Sequence, residues 1–144
     1  MVPRILVTSG RSLPSGLWFL YGLYTLASLS HYVHNAEFIF LYPGLPGWMD
    51  RETVYWAWLV VAGVGLAGLG LLSRGWTLCG ALVLAVYGAL GLDGFLHYRL
   101  GPCSDHTWLA NLTIFAEGLT GSALALAVLV GTFSGLATRR PLAR

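Results

Sequence analysis

The sequence predicts an all-α integral membrane protein, a bundle of four transmembrane helices joined by short loops. Hydrophobic residues make up 56% of the 144 residues and charged residues only 10%, and the mean hydropathy is +0.70. Soluble domains carry roughly a quarter charged residues, so this composition does not favour a water-soluble fold. Four spans of roughly 20 residues fill nearly the whole chain, which predicts a single transmembrane domain over residues 1–144.

Apolar runs separated by turn residues place the four helices. The first run begins after Pro14, which suits a helix start, and is stopped by Pro43 and Gly44. A signal peptide cleaved after Ser30 is the alternative for this run, but the apolar character continues beyond that point and favours a span. The predicted spans are residues 15–41, 53–72, 76–98 and 107–133.

The second predicted span is rich in glycine. Gly63 and Ala67 lie four residues apart on one helix face, and small residues at this spacing allow two membrane helices to approach closely. The spacing therefore predicts a close helix contact through this face.

Arginine placement predicts the orientation in the membrane. Six of the eight arginines fall on the side of the N-terminus, the second loop and the C-terminus, and only Arg51 and Arg99 fall opposite. The positive-inside rule makes the arginine-rich side cytoplasmic, so both termini are predicted inside. Arginine without lysine, together with abundant glycine and alanine, indicates a bacterial coding sequence and hence a bacterial cytoplasmic membrane. No basic stripe for nucleic acid appears, and the bilayer is the expected partner. The six arginines are Arg4, Arg11, Arg74, Arg139, Arg140 and Arg144.

Every acidic residue and all four histidines fall in the other, extracytoplasmic half. An ionisable side chain inside hydrocarbon costs at least ~2.5 kcal/mol, so several of them together need partners or a function. His31, His34 and Asn35 share one face of the first helix, at spacings of three and four residues. Asp93 and His97, four residues apart, share a face of the third.

The helical rise predicts which of these side chains can meet. At ~1.5 Å per residue, Asp93 lies roughly 9 Å and Glu117 roughly 15 Å below the outer interface. His106 lies about 16 Å from Glu117 along the helix axis and is therefore expected to be a lid or second-site ligand. The residues expected to share one pocket are His31, His34, Asp93, His97 and Glu117.

A transition-metal site near the outer face is the leading hypothesis. Imidazoles combined with carboxylates match the ligand sets of zinc, copper and non-haem iron. The set could hold one ion with an open position, or two ions bridged by a carboxylate. The predicted metal ligands are His31, His34, Asp93, His97 and His106, with Asn35 and Asn111 as supporting donors around the cofactor and Glu117 as the catalytic base or a further ligand.

The segment from Asp93 to His97, followed by His106, also carries a resemblance to a known motif. Over about fourteen residues it resembles the Asp-x-x-x-His…His copper motif in the membrane C subunit of particulate methane monooxygenases, with a shorter interval before the last histidine. The resemblance implies that such a set can hold copper within a bilayer.

Three classes of function stay open at this stage. The first is a membrane metalloenzyme acting on a lipophilic or periplasmic substrate. The second is an electron-transfer subunit in which His31 or His34 and His97 ligate haem b. The third is a non-catalytic subunit or assembly factor, in a larger membrane complex or a homo-oligomer, with a purely structural polar cluster. Transport is disfavoured, because no polar path continues through the inner leaflet.

Overall fold

The computed structural model describes residues 13–137, and within this range every element of regular structure is helical. The predicted all-α fold class is therefore confirmed for this part of the chain. Short 3₁₀ helices connect the longer elements at Ile39–Leu41, Gly91–Leu96 and Cys103–Asp105. The α-helices are α1 (Ser15–Glu37), α2 (Arg51–Ser73), α3 (Thr77–Leu90), α4 (His97–Leu100) and α5 (Trp108–Ala137).

Three stretches of the described chain are long and apolar enough to cross a membrane: Arg51–Ser73, Thr77–Leu100 and Trp108–Ser134. Helix α1 has 23 residues but is less apolar, so a fourth span rests on the sequence argument. The outer surface carries large apolar side chains that are more than half exposed, as bilayer contact requires. Examples are Phe19, Leu66 and Leu119.

The four long helices pack in a ring. Helix α1 contacts α2 and α5, and α3 contacts the same two helices. The apolar core lies toward the beginning of α1 and the end of α2, where Leu17, Leu72, Leu84 and Leu124 are buried together. The other end of the ring, where α1 ends and α2 begins, holds the histidines and the carboxylates, and we call it the polar end.

Arg74 lies at the turn between α2 and α3, whereas Arg51 and Arg99 lie at the polar end. This is the separation that the predicted spans require. The remaining arginines, on which the orientation mostly depends, lie outside the described residues and are Arg4, Arg11, Arg139, Arg140 and Arg144.

Helices α3 and α5 cross closely at two glycines. A Cβ on Gly88 would lie 2.5 Å from the carbonyl oxygen of Gly121 and 2.9 Å from the backbone nitrogen of Ala125. A Cβ on Gly121 would likewise overlap the Gly88 carbonyl oxygen. Only glycine at both positions allows the two backbones to come this near.

Helix α2 packs through glycines other than the one expected. A Cβ on Gly65 would lie 2.8 Å from the Tyr87 ring, and one on Gly68 would lie 3.0 Å from the Leu84 nitrogen. Gly63 and Ala67 are exposed, and a Cβ on Gly63 would meet nothing within 4 Å. The predicted close contact through Gly63 and Ala67 is therefore wrong within the described chain.

The predicted third span, residues 76–98, is not one α-helix. Helix α3 ends at Leu90, and the chain winds into the tighter 3₁₀ helix Gly91–Leu96 before α4. With three residues per turn, Gly91 and Gly94 fall on one face, and that face lies against α5. A Cβ on Gly91 would lie 2.8 Å from the Glu117 carbonyl oxygen, so the absence of side chains lets the 3₁₀ helix approach the middle of α5.

Candidate functional site

The polar end contains a cavity of about 640 Å³. This volume falls within the roughly 300–1,000 Å³ typical of small-molecule sites. Apolar side chains from the α1–α2 loop, from α2 and from the third span form much of its wall. They include Leu45, Met49, Val54, Leu90, Leu96 and Leu100.

Five of the residues singled out from the sequence line this cavity. They come from α1, from the third span and from α5, so the structure brings together side chains that are up to 86 positions apart. We call them the polar cluster: His31, Asn35, Asp93, His97 and Glu117.

Asn35 lies between two imidazoles of the polar cluster. Its Nδ2 is 3.0 Å from Nε2 of His31 and 3.1 Å from Nε2 of His97. The amide nitrogen carries two hydrogens and can donate one to each ring. The sequence predicted Asn35 as a supporting donor around a cofactor, and the structure shows its amide bonded to two imidazoles of the protein itself.

The hydrogen-bond chain behind His31 fixes the direction of these bonds. The Thr113 hydroxyl donates to the Ala110 carbonyl oxygen at 2.9 Å, so its oxygen is left to accept from Nδ1 of His31 at 3.3 Å. With its proton on Nδ1, a neutral His31 presents an acceptor at Nε2. Asn35 must then direct its NH₂ group toward this ring, which assigns the amide orientation from the network.

Glu117 is the most deeply buried carboxylate of the polar cluster, with only 2% of the residue exposed. Its Oε2 lies 3.7 Å from Nε2 of His31, which is too long for a hydrogen bond. A Cβ on Gly94 would lie 3.3 Å from the same oxygen, so this glycine makes room for the carboxylate. Glu117 therefore lines the cavity without a cation within hydrogen-bond distance in the described chain.

Asp93 and His97 do not form the pair expected from their spacing. Asp93 lies in the 3₁₀ helix, where each residue turns the chain by about 120° instead of about 100°. Residues four apart are then no longer on one face, and no hydrogen bond joins Asp93 to His97 within the described residues. Asp93 is exposed and its side chain borders the cavity separately.

His34 lies outside the polar cluster. Its Nδ1 lies 2.7 Å from the Tyr42 hydroxyl, and both residues are buried. The Tyr42 ring also packs against other imidazoles, with ring centroids 4.9 Å from His97 and 5.9 Å from His106. Three of the four histidines, His34, His97 and His106, therefore gather around a tyrosine that the sequence did not single out.

His106 and Asn111 stabilise the loop before α5. Nδ1 of His106 lies 3.1 Å from the Pro102 carbonyl oxygen. Asn111 accepts from the Tyr98 hydroxyl at 2.8 Å and donates to the Cys103 carbonyl oxygen at 3.1 Å. Neither side chain lines the cavity, so their roles as lid ligand and cofactor donor find no geometric support.

Surface contacts join the end of α1 to the start of α2, on either side of the loop that lines the cavity. Glu37 accepts from the Tyr55 hydroxyl at 2.6 Å and pairs with Arg51 at 2.7 Å. At the start of α2, the hydroxyl and N–H of Thr53 both donate to Asp50 and hold the pKa of its carboxyl below the usual range. These contacts position the α1–α2 loop over the cavity.

The metal-site prediction is wrong for the described chain. Among residues 13–137, no group of three or more His, Cys, Asp or Glu side chains is arranged to hold a metal ion. At least one nitrogen of each imidazole already has a protein partner, and Asp93 borders the cavity separately. The residues that were predicted as zinc, copper or iron ligands and do not form such a group are His31, His34, Asp93, His97 and His106.

The copper and haem interpretations fail for related reasons. The resemblance from Asp93 through His97 to His106 does not extend to a shared centre, because the 3₁₀ helix separates the first two and Pro102 binds the third. Haem b would need His97 and a histidine of α1 on opposite sides of its plane. The Asn35 amide occupies the space between His31 and His97, and His34 bonds to Tyr42.

Removal of the Tyr42 hydroxyl is expected to destabilise the polar end. In a Tyr42→Phe variant, Nδ1 of buried His34 loses its partner, at a cost of about 1–3 kcal/mol. Tyr55→Phe is the matched control, because its hydroxyl lies on the surface and its loss is expected to have a much smaller effect. Midpoints of thermal unfolding in detergent measure both, and equal midpoints would contradict a buried His34–Tyr42 bond.

Comparisons of the chain with protein families, with characterised proteins and with solved structures find no match. Over residues 13–137, the fold and the site by themselves define a class: an all-helical protein with three helices long and apolar enough to cross a membrane and a cavity at one end with a mostly apolar wall and a few polar groups. Thr113, Tyr42 and Gly94 belong to this site and were missed from the sequence. Of these three, only Gly94 could have been found from the sequence. Gly91 and Gly94 flank Asp93, and small residues at such a spacing indicate a close approach between two backbones.

Proposed function

We propose that this chain is a multi-pass membrane protein that binds a lipophilic small molecule in the cavity at its extracytoplasmic end. The observation that carries the proposal is the combination of a mostly apolar wall with the polar cluster at one side of the same cavity. An apolar pocket with a few converging polar groups is the usual form of a small-molecule site. The wall would hold the apolar body, and the polar cluster would select its polar group.

The proposed topology has four spans, with both termini in the cytoplasm of a bacterial cell. Helix α1 supplies the fourth span, since its 23 residues extend about 34 Å at ~1.5 Å per residue, enough for a hydrocarbon core of ~30 Å. The arginine distribution supports this orientation, in which the cavity would face the periplasm or cell exterior. A lipophilic ligand could then reach the cavity from the outer leaflet.

Glu117 is the group best placed for chemistry on a bound molecule. Its carboxyl lines the cavity and has no cation of the described chain within hydrogen-bond distance, which leaves it available to exchange a proton. If the protein transforms its ligand, we propose Glu117 as the acid or base. Binding does not depend on this step.

A cavity-filling substitution tests the binding function. Ala57 and Leu59 are both exposed positions of α2, but only Ala57 lines the cavity. Protein in lipid nanodiscs is photolabelled with a diazirine derivative of dodecanol, and the labelled peptides are mapped by mass spectrometry. In Ala57→Trp, labelling of the cavity is expected to fall about tenfold, equivalent to ~1.4 kcal/mol of binding energy.

Leu59→Trp is the control, because it adds the same side chain to the outer surface of α2. Its cavity labelling is expected to match the unmodified protein. Labelling confined to outward-facing peptides, or cavity labelling that Ala57→Trp leaves unchanged, would overturn the proposed function.

A further inference from the structure

The charges around the cavity suggest which polar group its ligand carries. We infer that the ligand is a long-chain amine, bound with its ammonium group toward Glu117 and Asp93. This inference rests on the proposed function and specifies the chemistry of the ligand. The inference depends on Asp93 and Glu117, the two carboxylates of the polar cluster. Because the metal prediction is wrong, these carboxylates have no assigned partner.

Of the residues that the structure describes, three formally charged side chains line the cavity: Asp93, Glu117 and Arg99. Arg99 is exposed at the rim, where water and lipid headgroups solvate a guanidinium. Glu117 is almost completely buried. The one cation is therefore at the exposed edge of the cavity, and the carboxylate that most needs compensation is at the deep end.

The imidazoles do not supply the missing cation. Nε2 of His31 is the ring atom nearest to Glu117, and it already accepts from the Asn35 amide. The proton of this ring is on Nδ1 and is directed toward Thr113. His31 therefore donates no hydrogen to Glu117, and the charge of this carboxylate is left for another donor to compensate.

An ammonium group meets these requirements. It carries a positive charge and three hydrogens, so it can donate to carboxylate oxygens and compensate their charge. Tyr32 and Trp48 also line the cavity, and aromatic rings attract ammonium ions. The apolar wall favours an organic cation with a long hydrocarbon body over a hydrated inorganic ion.

Three probes that differ only in the head group test this inference. Diazirine derivatives of dodecylamine, dodecanol and dodecanoic acid are compared in nanodiscs of phosphatidylcholine, which has no net charge. Cavity labelling is divided by labelling of outward-facing peptides of the same protein, which corrects for partitioning into the bilayer. The amine is expected to exceed the acid by about tenfold in this ratio.

Two variants locate the selectivity. Glu117→Gln and Asp93→Asn each remove a carboxylate charge, and each is expected to reduce the preference for the amine over the alcohol. Monodisperse elution from a size-exclusion column verifies that each variant is folded. If Glu117→Gln does not elute as a single species, the Asp93→Asn variant is used alone to test the inference, because Asp93 is exposed. An unchanged preference in the folded variants would overturn the inference.

The outcomes separate the two proposals. If Ala57→Trp abolishes cavity labelling but the alcohol or the acid labels as strongly as the amine, the amine inference fails and the binding function stands. Equal labelling by the alcohol is the result expected if Glu117 is itself protonated. If none of the three probes labels the cavity, the proposed function fails as well.

Discussion

Replacement of Gly88 by alanine is expected to destabilise the bundle by at least about 1–3 kcal/mol, the usual cost of overpacking. The new Cβ would lie 2.5 Å from the Gly121 carbonyl oxygen and 2.9 Å from the Ala125 nitrogen. Both are backbone atoms, so no side chain can move aside and the two helices must separate. The midpoint of thermal unfolding in detergent, followed by circular dichroism, measures the loss.

Gly63→Ala is the matched control for this prediction. The same substitution in α2 would place a Cβ that meets nothing within 4 Å. Its midpoint is expected to be unchanged or slightly raised, since alanine is a better helix former than glycine. A Gly88→Ala variant as stable as Gly63→Ala would show that α3 and α5 do not cross as closely as described.

The Gly88 contact also bears on the cavity. Gly91 is one turn further along the chain and lies against Glu117 through the backbone of α5. If α3 separates from α5 at Gly88, the 3₁₀ helix that follows α3 is expected to move relative to α5. Asp93 lies on this 3₁₀ helix, so its distance from Glu117 would change. The helix crossing and the spacing of the two carboxylates are parts of one packing arrangement.

The extents of the helices could be predicted well from turn residues. The second span, expected at residues 53–72, is observed as Arg51–Ser73, and the fourth, expected from residue 107, begins at Trp108. Glycine and proline end membrane helices for local reasons, so a single sequence shows them. The first span was extended too far, because the apolar residues after Glu37 form a 3₁₀ helix and a loop.

The arrangement within the site could not be predicted in the same way. The i, i+4 spacing of Asp93 and His97 implies a shared face only in an α-helix, and the switch to a 3₁₀ helix depends on packing against α5. Similarly, the position of Asn35 on α1 indicates its face but not which nitrogen of a neighbouring ring it meets. The helix type around Asp93 and the ring nitrogens that contact Asn35 both depend on contacts between segments distant in the sequence.

The glycines illustrate the same limit. The spacing of Gly63 and Ala67 suits close packing as well as that of Gly65 and Gly68, yet only the second pair lies against another helix. A small-residue pattern predicts that a close contact exists somewhere on the helix. Which side carries it depends on the rotation of the helix, and the neighbouring helices determine that rotation.

Replacement of Asn35 by aspartate is expected to be at least as destabilising as replacement by leucine. In the assigned network the Asn35 NH₂ group donates to both His31 and His97. A carboxylate cannot donate, so each imidazole nitrogen loses its donor at about 1–3 kcal/mol. To donate to the new carboxylate, His31 would have to move its proton to Nε2 and lose its bond to Thr113.

The opposite amide orientation makes a different prediction. If the Asn35 oxygen accepted from two protonated Nε2 atoms, aspartate would accept equally well, and Asn35→Asp would be much more stable than Asn35→Leu. Unfolding midpoints of the two variants distinguish these cases, and ¹⁵N chemical shifts of His31 report independently whether Nδ1 or Nε2 carries the proton. A proton found on Nε2 would contradict the assigned network, in which this nitrogen accepts from the Asn35 amide.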